Sequence, residues 1–427
     1  MLSSVREHKV EGNALNELYK KRFNQVRKRS RELCSTLETE DFVIQPVIDV
    51  SPPKWHLGHT TWFFESFILK EFMEGYKEFH PSYNYLFNSY YESVGERWQR
   101  PNRGLLSRPT VKDVMDYREH VDHAMSDFFQ SVEINQEIQK FFEIGLQHEQ
   151  QHQELLVYDV KHILGINPMF PVFREREIDP EPYGELDSSF TEIGEGIYSI
   201  GYEGNDFCFD NEKGVHNVFL HPFRVQNRLI TNGEYLEFIE SGGYKDFRFW
   251  LSEAWTWVNE QEVKAPFHWH KIEGKWKYFT LSGLLDIQVD EPVTHINFFE
   301  ADAYARWAGK RLLTEFEWEV ACEKIEPEVS EKANFSDKNI FHPEASNRTQ
   351  FLGDAWEWTN SAYLPYPYYK TDEGALGEYN GKFMINQMVL RGGSCATAKD
   401  HIRPTYRNFF HPHLKWHFTG IRIAESI

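Results

Sequence analysis

The chain has 427 residues, 41% of them hydrophobic and 16% aromatic, and a formal net charge of −20. This length predicts two domains, and the negative charge argues against binding to nucleic acid or to an anionic membrane. No apolar run is long enough to span a membrane, and the N-terminus is polar from Val5 onward. The four cysteines are scattered without a disulfide or CxxC pattern. We therefore expect a soluble, cytoplasmic enzyme.

Apolar residues at helical spacing predict a first helix from about residue 13 to 37. A second helix is predicted to begin at Pro53, because proline fits the first turn of a helix. His59 lies on the aromatic face of this helix and therefore points toward a core, whereas His56 is displaced around the helix without being excluded. A lone histidine in such a place is more often a packed core residue than a metal ligand.

The segment 80–110 has the composition of a loop and contains a tyrosine pair and three arginines at a spacing of three, Arg97, Arg100 and Arg103. Long ordered loops in compact domains are often functional. Guanidinium groups can bind a carboxylate in a bidentate manner. The alternative is that these arginines are exposed on a surface loop.

The next two helices are predicted from Thr110, as N-cap, to about Phe128, and from about residue 135 to 164. In the latter, His148 and His152 are four residues apart and continue its apolar face. Buried imidazoles need partners, and two at this spacing most simply share a metal ion. Together with His59 they predict a three-histidine site within a four-helix bundle. The histidines alone do not distinguish iron from zinc.

After the bundle, the composition changes. We predict a helical domain over 1–170, a linker rich in proline and charge over 171–187, and a mixed, loop-rich domain over 188–427. In the last domain, short apolar stretches at 196–201 and 217–220 lie between turn residues, and helices are predicted over 232–238, 298–309 and 314–322.

Four segments of the second domain resemble the formylglycine-generating-enzyme/sulfatase-modifying-factor fold, an α+β fold of the C-type-lectin type. They are 292–298, 307–319, 353–359 and 390–394. These motifs are specific for the fold and carry little information about chemistry. The first domain resembles a DinB-type four-helix bundle. Cys395 follows Gly-Gly-Ser near the place where formylglycine-generating enzymes have a catalytic cysteine. The second cysteine of that site is missing, so we interpret Cys395 as structural.

The two domains in this order resemble the non-haem iron sulfoxide synthases of ergothioneine and ovothiol biosynthesis. The Trp-x-x-x-His element ending at His59 and the His-x-x-x-His-x-Glu element with His148, His152 and Glu154 carry this resemblance. It implies that the three histidines bind Fe(II), with O2 as co-substrate. Glu154 points away from the face of His152 and is assigned a supporting role.

The resemblance also implies substrates and further site residues. The predicted reaction joins the sulfur of cysteine to imidazole C2 of hercynine and yields a sulfoxide. The assigned residues are Tyr91, or else Tyr90, as proton or electron donor; Arg100 and Arg103 for the cysteine carboxylate; Gln151 for the substrate imidazole; and Asn408, Phe409 and Phe410 for the trimethylammonium group. Without the family, the tyrosine pair would more often be packing, and the phenylalanines would be core residues.

Finer features point in two directions within this family. The segment 87–92 with the arginines after it resembles the subgroup that uses free cysteine, which includes the ovothiol enzymes. The aromatic pair after Asn408 and the end of the chain at Ile427, without a methyltransferase domain, are more similar to ergothioneine enzymes. An ovothiol-type enzyme acting on histidine, a relative using a selenium donor, and γ-glutamylcysteine as donor remain alternatives. So do a zinc-dependent DinB-type thiol transferase and a ligand-binding module. The oligomeric state stays open.

Overall fold

The computed structural model describes residues 2–176, 186–347, 349–371 and 377–427, with side chains from residue 14 onward. The chain forms two compact units, Met1–Ile163 and Leu164–Ile427. Within the described ranges, no helix is long and apolar enough to cross a membrane.

The first unit consists of helices. Their bounds are α1 Leu2–Leu33, α2 Pro53–Phe64, α3 Lys70–Phe72, α4 Tyr83–Phe87, α5 Val111–Ser131 and α6 Gln136–Gly165, with a π-helical turn at Glu65–Leu69 between α2 and α3. The four long helices α1, α2, α5 and α6 form the predicted bundle. The segment that was predicted to be a loop also contains α4 and two 3₁₀ turns, Glu92–Val94 and Arg100–Leu105.

The sequence signals place most helix ends correctly. Thr110 caps α5, and its hydroxyl accepts a hydrogen bond from the backbone N–H of Asp113 in a capping box. The bounds of α1 differ from the predicted 13–37, because the helix begins at Leu2 and ends at Leu33. The polar first residues lack the apolar period from which a helix is predicted. At the other end, a turn follows Leu33, the last buried apolar residue of the period.

A buried ionic cluster joins the four long helices. Glu149 of α6 is fully buried and accepts hydrogen bonds from Arg27 of α1, at 3.1 Å, and from Arg118 of α5. Arg27 also donates to the hydroxyl of Thr61 on α2 at 3.0 Å. Buried charges are tolerated when they are paired and hydrogen-bonded in this way. The cluster therefore fixes α2 and α6, the two helices that carry the histidines.

The second unit is mixed. Its helices are α7 Asn232–Glu240, α8 Ser252–Glu260, α9 Phe298–Trp307 and α10 Glu315–Ile325. Its strands are β1 Phe190–Ile193, β2 Gly196–Ile200, β3 His216–Leu220, β4 Phe223–Gln226, β5 Trp269–Ile272, β6 Lys275–Thr280, β7 Gly283–Asp286, β8 Arg311–Leu312, β9 Trp356–Ala362, β10 Met388–Arg391, β11 Asn408–Phe410, β12 Thr419–Gly420 and β13 Ile423–Ser426.

The strands form two sheets of four, in the orders β1-β4-β13-β8 and β11-β10-β9-β12, with a hairpin β2-β3 and a meander β5-β6-β7. The predicted stretches at 196–201 and 217–220 correspond to β2 and β3, and α7, α9 and α10 confirm the predicted helices. Helix α8 was missed. The mixed, loop-rich second domain is confirmed.

The motifs that suggested this fold build its interior. Thr314 caps α10 through Glu317, and Asn297 caps α9 through Glu300. Glu315 binds Arg407 at 2.8 Å, and both side chains are buried. Cys395 is buried. The motifs thus consist of caps and buried ion pairs, which explains why they identify the fold and not the chemistry.

The predicted domain boundaries fall close to the division into units. Helix α6 runs to Gly165, and residues 177–185 of the predicted linker 171–187 lie outside the described residues. The linker's described part contacts the second unit, because the backbone N–H of Phe173 donates to the carbonyl of Leu281 at 2.9 Å. The boundaries 1–170 and 188–427 stay predictions.

Candidate metal centre

His59 is held rigidly in α2. Its ring stacks between Trp55 and Trp62, with ring centroids 4.5 and 5.5 Å away and both planes within 15° of parallel. Its Nδ1 lies 2.6 Å from the backbone carbonyl oxygen of Phe87. Because a carbonyl only accepts, Nδ1 carries the hydrogen and Nε2 is left with its lone pair in the neutral ring. His59 therefore presents Nε2 as a potential ligand atom.

His148 and His152 of α6 meet this ring. The Nε2 atoms of His59 and His148 are 3.1 Å apart, and one ring nitrogen from each of the three histidines lies within 4.8 Å of the others. Burial lowers the pKa of all three, that of His148 to about 3, so each is neutral at physiological pH. Neutral imidazoles are the form that binds metals. The donor set, its spacing and its protonation fit a metal ion, and the predicted triad is brought together.

The triad is more accessible on one side. His59 and His148 are buried, whereas His152 and its neighbour Gln151 are partly exposed. Glu154 interacts with the hydroxyl of Tyr158 on the same helix. Gln151 and His152 therefore lie on the more exposed side of the triad.

His56 is adjacent to the triad but does not belong to it. Its Nδ1 lies 2.8 Å from Nδ1 of His152, and its Nε2 lies 2.9 Å from a carboxylate oxygen of Asp159. Both ring nitrogens are thus engaged. The sequence had left His56 open as a ligand. In the structure it contacts the candidate ligand His152 instead of joining the triad.

Arg103 is a buried cation beside the triad. Its guanidinium carbon lies 3.2 Å from the ring centroid of Trp55, the same indole that stacks on His59. The Nη atoms donate to the hydroxyls of Ser51 and Ser89 at 2.9 and 3.0 Å. Among the described residues, no carboxylate pairs with Arg103, and its Nε has no hydrogen-bond partner. Burial lowers the pKa of Arg103 to about 9, since desolvation penalises the uncompensated charge.

The other two arginines of the segment have partners. Arg97 forms an ion pair with Glu92. Arg100 donates to the hydroxyl of Tyr90 at 3.0 Å and to the backbone carbonyl of Asp49. Arg97 and Arg100 are thus partly exposed, and Arg103 is buried, so the alternative of three exposed arginines does not hold.

The tyrosine pair is divided between interior and surface. Tyr91 is 4% exposed and Tyr90 is 37% exposed. The ring of Tyr91 packs against Trp62 and Phe63, with centroids 5.5 and 6.4 Å away. Those two rings contact His59 and His148, respectively. Tyr91 is therefore one ring removed from two of the histidines.

The predicted ammonium-binding residues form β11 in the second unit. Phe409 stacks on Tyr363 with centroids 4.0 Å apart, and Phe410 stacks on His417 at 3.6 Å. The side-chain oxygen of Asn408 accepts a hydrogen bond from the backbone N–H of Phe409 at 2.9 Å. All three residues are partly exposed. The two phenylalanine rings contact different neighbours.

Two functional features were missed from the sequence. Asp159 lies seven residues after His152 on the same helix, so helical periodicity could have placed it near that face. Its link to His56 is not visible in the sequence, because it depends on how α2 packs against α6. The stacking of Arg103 on Trp55 joins positions 48 residues apart (103 − 55) and has no local signal.

Comparisons with known proteins agree with this architecture. The model of the sulfatase-modifying factor enzyme 1-like domain matches residues 182–427, and that of the DinB superfamily matches residues 22–156. The hercynine oxygenase of Mycolicibacterium thermoresistibile is 32% identical over 257 residues, which make up 54% of this chain and 57% of that protein.

Two further hercynine oxygenases are matched over a larger share of their length. That of Mycolicibacterium smegmatis is 31% identical over 316 residues, 67% of this chain and 72% of that protein. That of Mycobacterium tuberculosis is 30% identical over 311 residues, 67% of this chain and 71% of that protein. Because these relatives are at least 30% identical and matched over more than two thirds of their length, the chain belongs to the hercynine oxygenase family of sulfoxide synthases.

Proposed function

We propose that the protein is a non-haem Fe(II) enzyme that uses O2 to join the sulfur of cysteine to imidazole C2 of hercynine, a step of ergothioneine biosynthesis. The observation that carries this proposal is the convergence of three neutral imidazoles, one of them partly exposed. Three protein ligands leave positions on iron for O2 and substrates. The family supports hercynine as acceptor, since the relatives are named hercynine oxygenases.

The proposed reaction balances with O2 as the only oxidant. Hercynine loses the hydrogen on C2, cysteine loses its thiol hydrogen, and a C–S bond forms. One oxygen atom ends on sulfur as the sulfoxide, and the other leaves in water with the two hydrogens. Each of the two changes, C–S bond formation and sulfur oxidation, removes two electrons, which together reduce O2. When bound, Fe(II) supplies O2 activation and lowers the pKa of the substrate thiol.

Arg103 is the group that we assign to the cysteine carboxylate. It is a cation held by two hydroxyls and an indole face, without a paired carboxylate among the described residues. A bound carboxylate would compensate its charge and form a charge-assisted hydrogen bond. Arg100 adds positive charge nearby while its hydroxyl partner, Tyr90, orients it. The site thereby favours donors with an anionic group next to the thiol.

Tyr91 is the group that we assign to proton or electron donation. Its burial against Trp62 and Phe63 keeps the phenol away from bulk water. Tyr90 is the alternative donor and is bound to Arg100. Gln151, beside the ligand His152, is assigned to a hydrogen bond with the substrate imidazole. Its partial exposure supports this role.

The assignment of Asn408, Phe409 and Phe410 to the trimethylammonium group is carried by the family resemblance. Aromatic faces attract such a cation with about 0.5–2 kcal/mol, depending on desolvation. The partial exposure of the three residues leaves ring surface accessible to a ligand. A histidine acceptor lacks the quaternary ammonium group, and substitution of Phe409 should therefore affect hercynine more than histidine.

A zinc-dependent thiol transferase is the second candidate. Three neutral histidines suit zinc as well as iron, and the geometry of the triad is compatible with both. Such an enzyme would activate the thiol as a nucleophile without consuming O2. Metal content and O2 dependence therefore separate the two functions.

The test is anaerobic loading with Fe(II), followed by O2 and pairs of substrates, with products identified by mass spectrometry. Cysteine, γ-glutamylcysteine and a selenium donor are each offered with hercynine or with histidine. We expect the cysteine–hercynine sulfoxide as the main product. A main product from histidine would assign the enzyme to the ovothiol type, and the absence of O2 uptake and of any sulfoxide with the Fe(II)-loaded protein would overturn the proposal.

A further inference from the structure

The ligand ring of His152 is oriented by a chain of two further side chains. Nδ1 of His152 lies 2.8 Å from Nδ1 of His56, whose Nε2 lies 2.9 Å from Oδ2 of Asp159. His56 and Asp159 are 3% and 2% exposed. Because water has little access to His56 and Asp159, the position of each hydrogen in this chain depends on the hydrogen bonds between the three groups.

The carboxylate determines the direction of the hydrogen bonds. An ionised carboxylate only accepts, so Nε2 of His56 carries a hydrogen and donates it to Asp159. With its one hydrogen on Nε2, the His56 ring has an acceptor at Nδ1. In this arrangement His152 donates the hydrogen bond of 2.8 Å between the two Nδ1 atoms. His152 therefore keeps its hydrogen on Nδ1 and has its lone pair on Nε2.

We propose that His56 and Asp159 are positioning residues that hold His152 in the metal-binding tautomer. In many metal sites, a carboxylate or a carbonyl contacts the ligand histidine directly. Here His56 lies between the ligand His152 and the carboxylate of Asp159. His59 shows the direct version in this same site, with the carbonyl of Phe87 at 2.6 Å from its Nδ1. The inference rests on the metal site of the proposed function and holds for either metal.

Ser51 connects this chain to the anion-binding arginine. Its backbone N–H donates to Oδ2 of Asp159 at 2.8 Å, and its hydroxyl accepts from Arg103 at 2.9 Å. The same residue thus supports the carboxylate that orients His152 and the cation assigned to the substrate. Substitution of Asp159 should consequently affect the orientation of both His152 and Arg103.

The experiment measures metal affinity of the full chain, with Zn²⁺ and Co²⁺ in competition with a chelator. The variants are His56→Phe, which removes the acceptor, His56→Asn, whose oxygen can still accept from His152, and Asp159→Leu, which removes the carboxylate that accepts from His56. His120→Phe, an exposed histidine of α5, is the control. We expect about 10- to 100-fold weaker binding for His56→Phe and Asp159→Leu, a smaller loss for His56→Asn, and none for the control. The Co²⁺ absorption spectrum should change in the same order.

The thermal unfolding temperature of each metal-free variant shows whether weaker metal binding results from lost positioning of His152 or from a destabilised fold. If His56→Phe does not fold, Asp159→Leu, which has a similar size and no acceptor, carries the test. Affinity within twofold of wild type in a folded His56→Phe or Asp159→Leu protein would overturn the inference. Failure of the proposed function has a different result, namely tight metal binding by the wild-type protein without sulfoxide formation.

Discussion

At the scale of single residues, the environment of the predicted site residue Arg103 is unusual. A guanidinium group that is 5% exposed normally has a carboxylate partner, as Arg118 has in Glu149. Arg103 has hydroxyls and an indole face in place of a carboxylate. Such a charge is costly until an anion binds, which supports the proposed role of Arg103 in binding the carboxylate of the substrate.

This argument predicts the effect of Arg103→Gln on donor recognition. KM for cysteine should rise by about 10- to 100-fold, since hydrogen bonds to charged groups contribute about 1.5–3 kcal/mol. With cysteamine, which lacks the carboxylate, KM should change little. Steady-state O2 uptake measures both.

Arg97→Gln is the matched control for this variant. Arg97 pairs with Glu92 at the surface, so its loss should leave both donors unaffected. An equal rise in KM for cysteine and cysteamine after Arg103→Gln would show that the arginine supports the fold and does not bind the carboxylate.

At the scale of elements, the contact between α2 and α4 positions His59, one of the three proposed metal ligands. Gly58 precedes His59, and a Cβ atom there would lie 2.2 Å from Cε1 of Phe87. The absence of a side chain lets the last residue of α4 approach α2, and its carbonyl reaches Nδ1 of His59. The glycine is thus required by close packing, not by its backbone conformation.

Substitution of Gly58 by alanine should therefore weaken metal binding as well as folding. Overpacking of this kind costs about 1–3 kcal/mol, and a displaced Phe87 would release the ring of His59. Urea unfolding and a Zn²⁺ titration measure the two effects. Gly194→Ala is the control, because no atom lies within 4 Å of its Cβ position. Unchanged metal affinity in Gly58→Ala would contradict the role of the Phe87 carbonyl.

At the scale of the whole molecule, the two units differ in how far the sequence predicts them. The helices of the first unit follow apolar periodicity, and the spacing of His148 and His152 places both on one helix face. The burial of Arg103 and the link from His56 to Asp159 depend on packing between distant segments, which no local pattern contains. In the second unit, the strands are too short to show a clear alternation of apolar and polar residues. The fold of this unit was therefore identified from family motifs.

The acid stability of the second unit should depend on Glu291. Burial alone would raise the pKa of Glu291, but His342 and Arg176, with the hydroxyl of Tyr278, outweigh it and lower the pKa to about 2 from 4.5. The carboxylate binds His342 at 2.8 Å and Arg176 at 2.7 Å. A lowered pKa stabilises the fold above pH 4.5, and this contribution is lost as the pH falls toward 2.

Glu291→Gln should accordingly reduce the free energy of unfolding by about 1–3 kcal/mol at pH 7. The difference from wild type should shrink below pH 4.5, as the wild-type carboxylate becomes protonated. Urea unfolding at several pH values gives this comparison. If the difference in free energy of unfolding between wild type and Glu291→Gln stayed constant from pH 7 to below pH 4.5, the residue would act through its shape and not through its charge.

The most direct test of the proposed iron site is the stoichiometry of O2 uptake and sulfoxide formation with cysteine and hercynine. We predict one sulfoxide per O2 with the Fe(II)-loaded wild-type protein, and neither with the Zn²⁺-loaded protein nor with His148→Ala treated with Fe(II). Undiminished sulfoxide formation by His148→Ala, or by the Zn²⁺-loaded protein, would contradict the assignment of the three histidines to a catalytic iron.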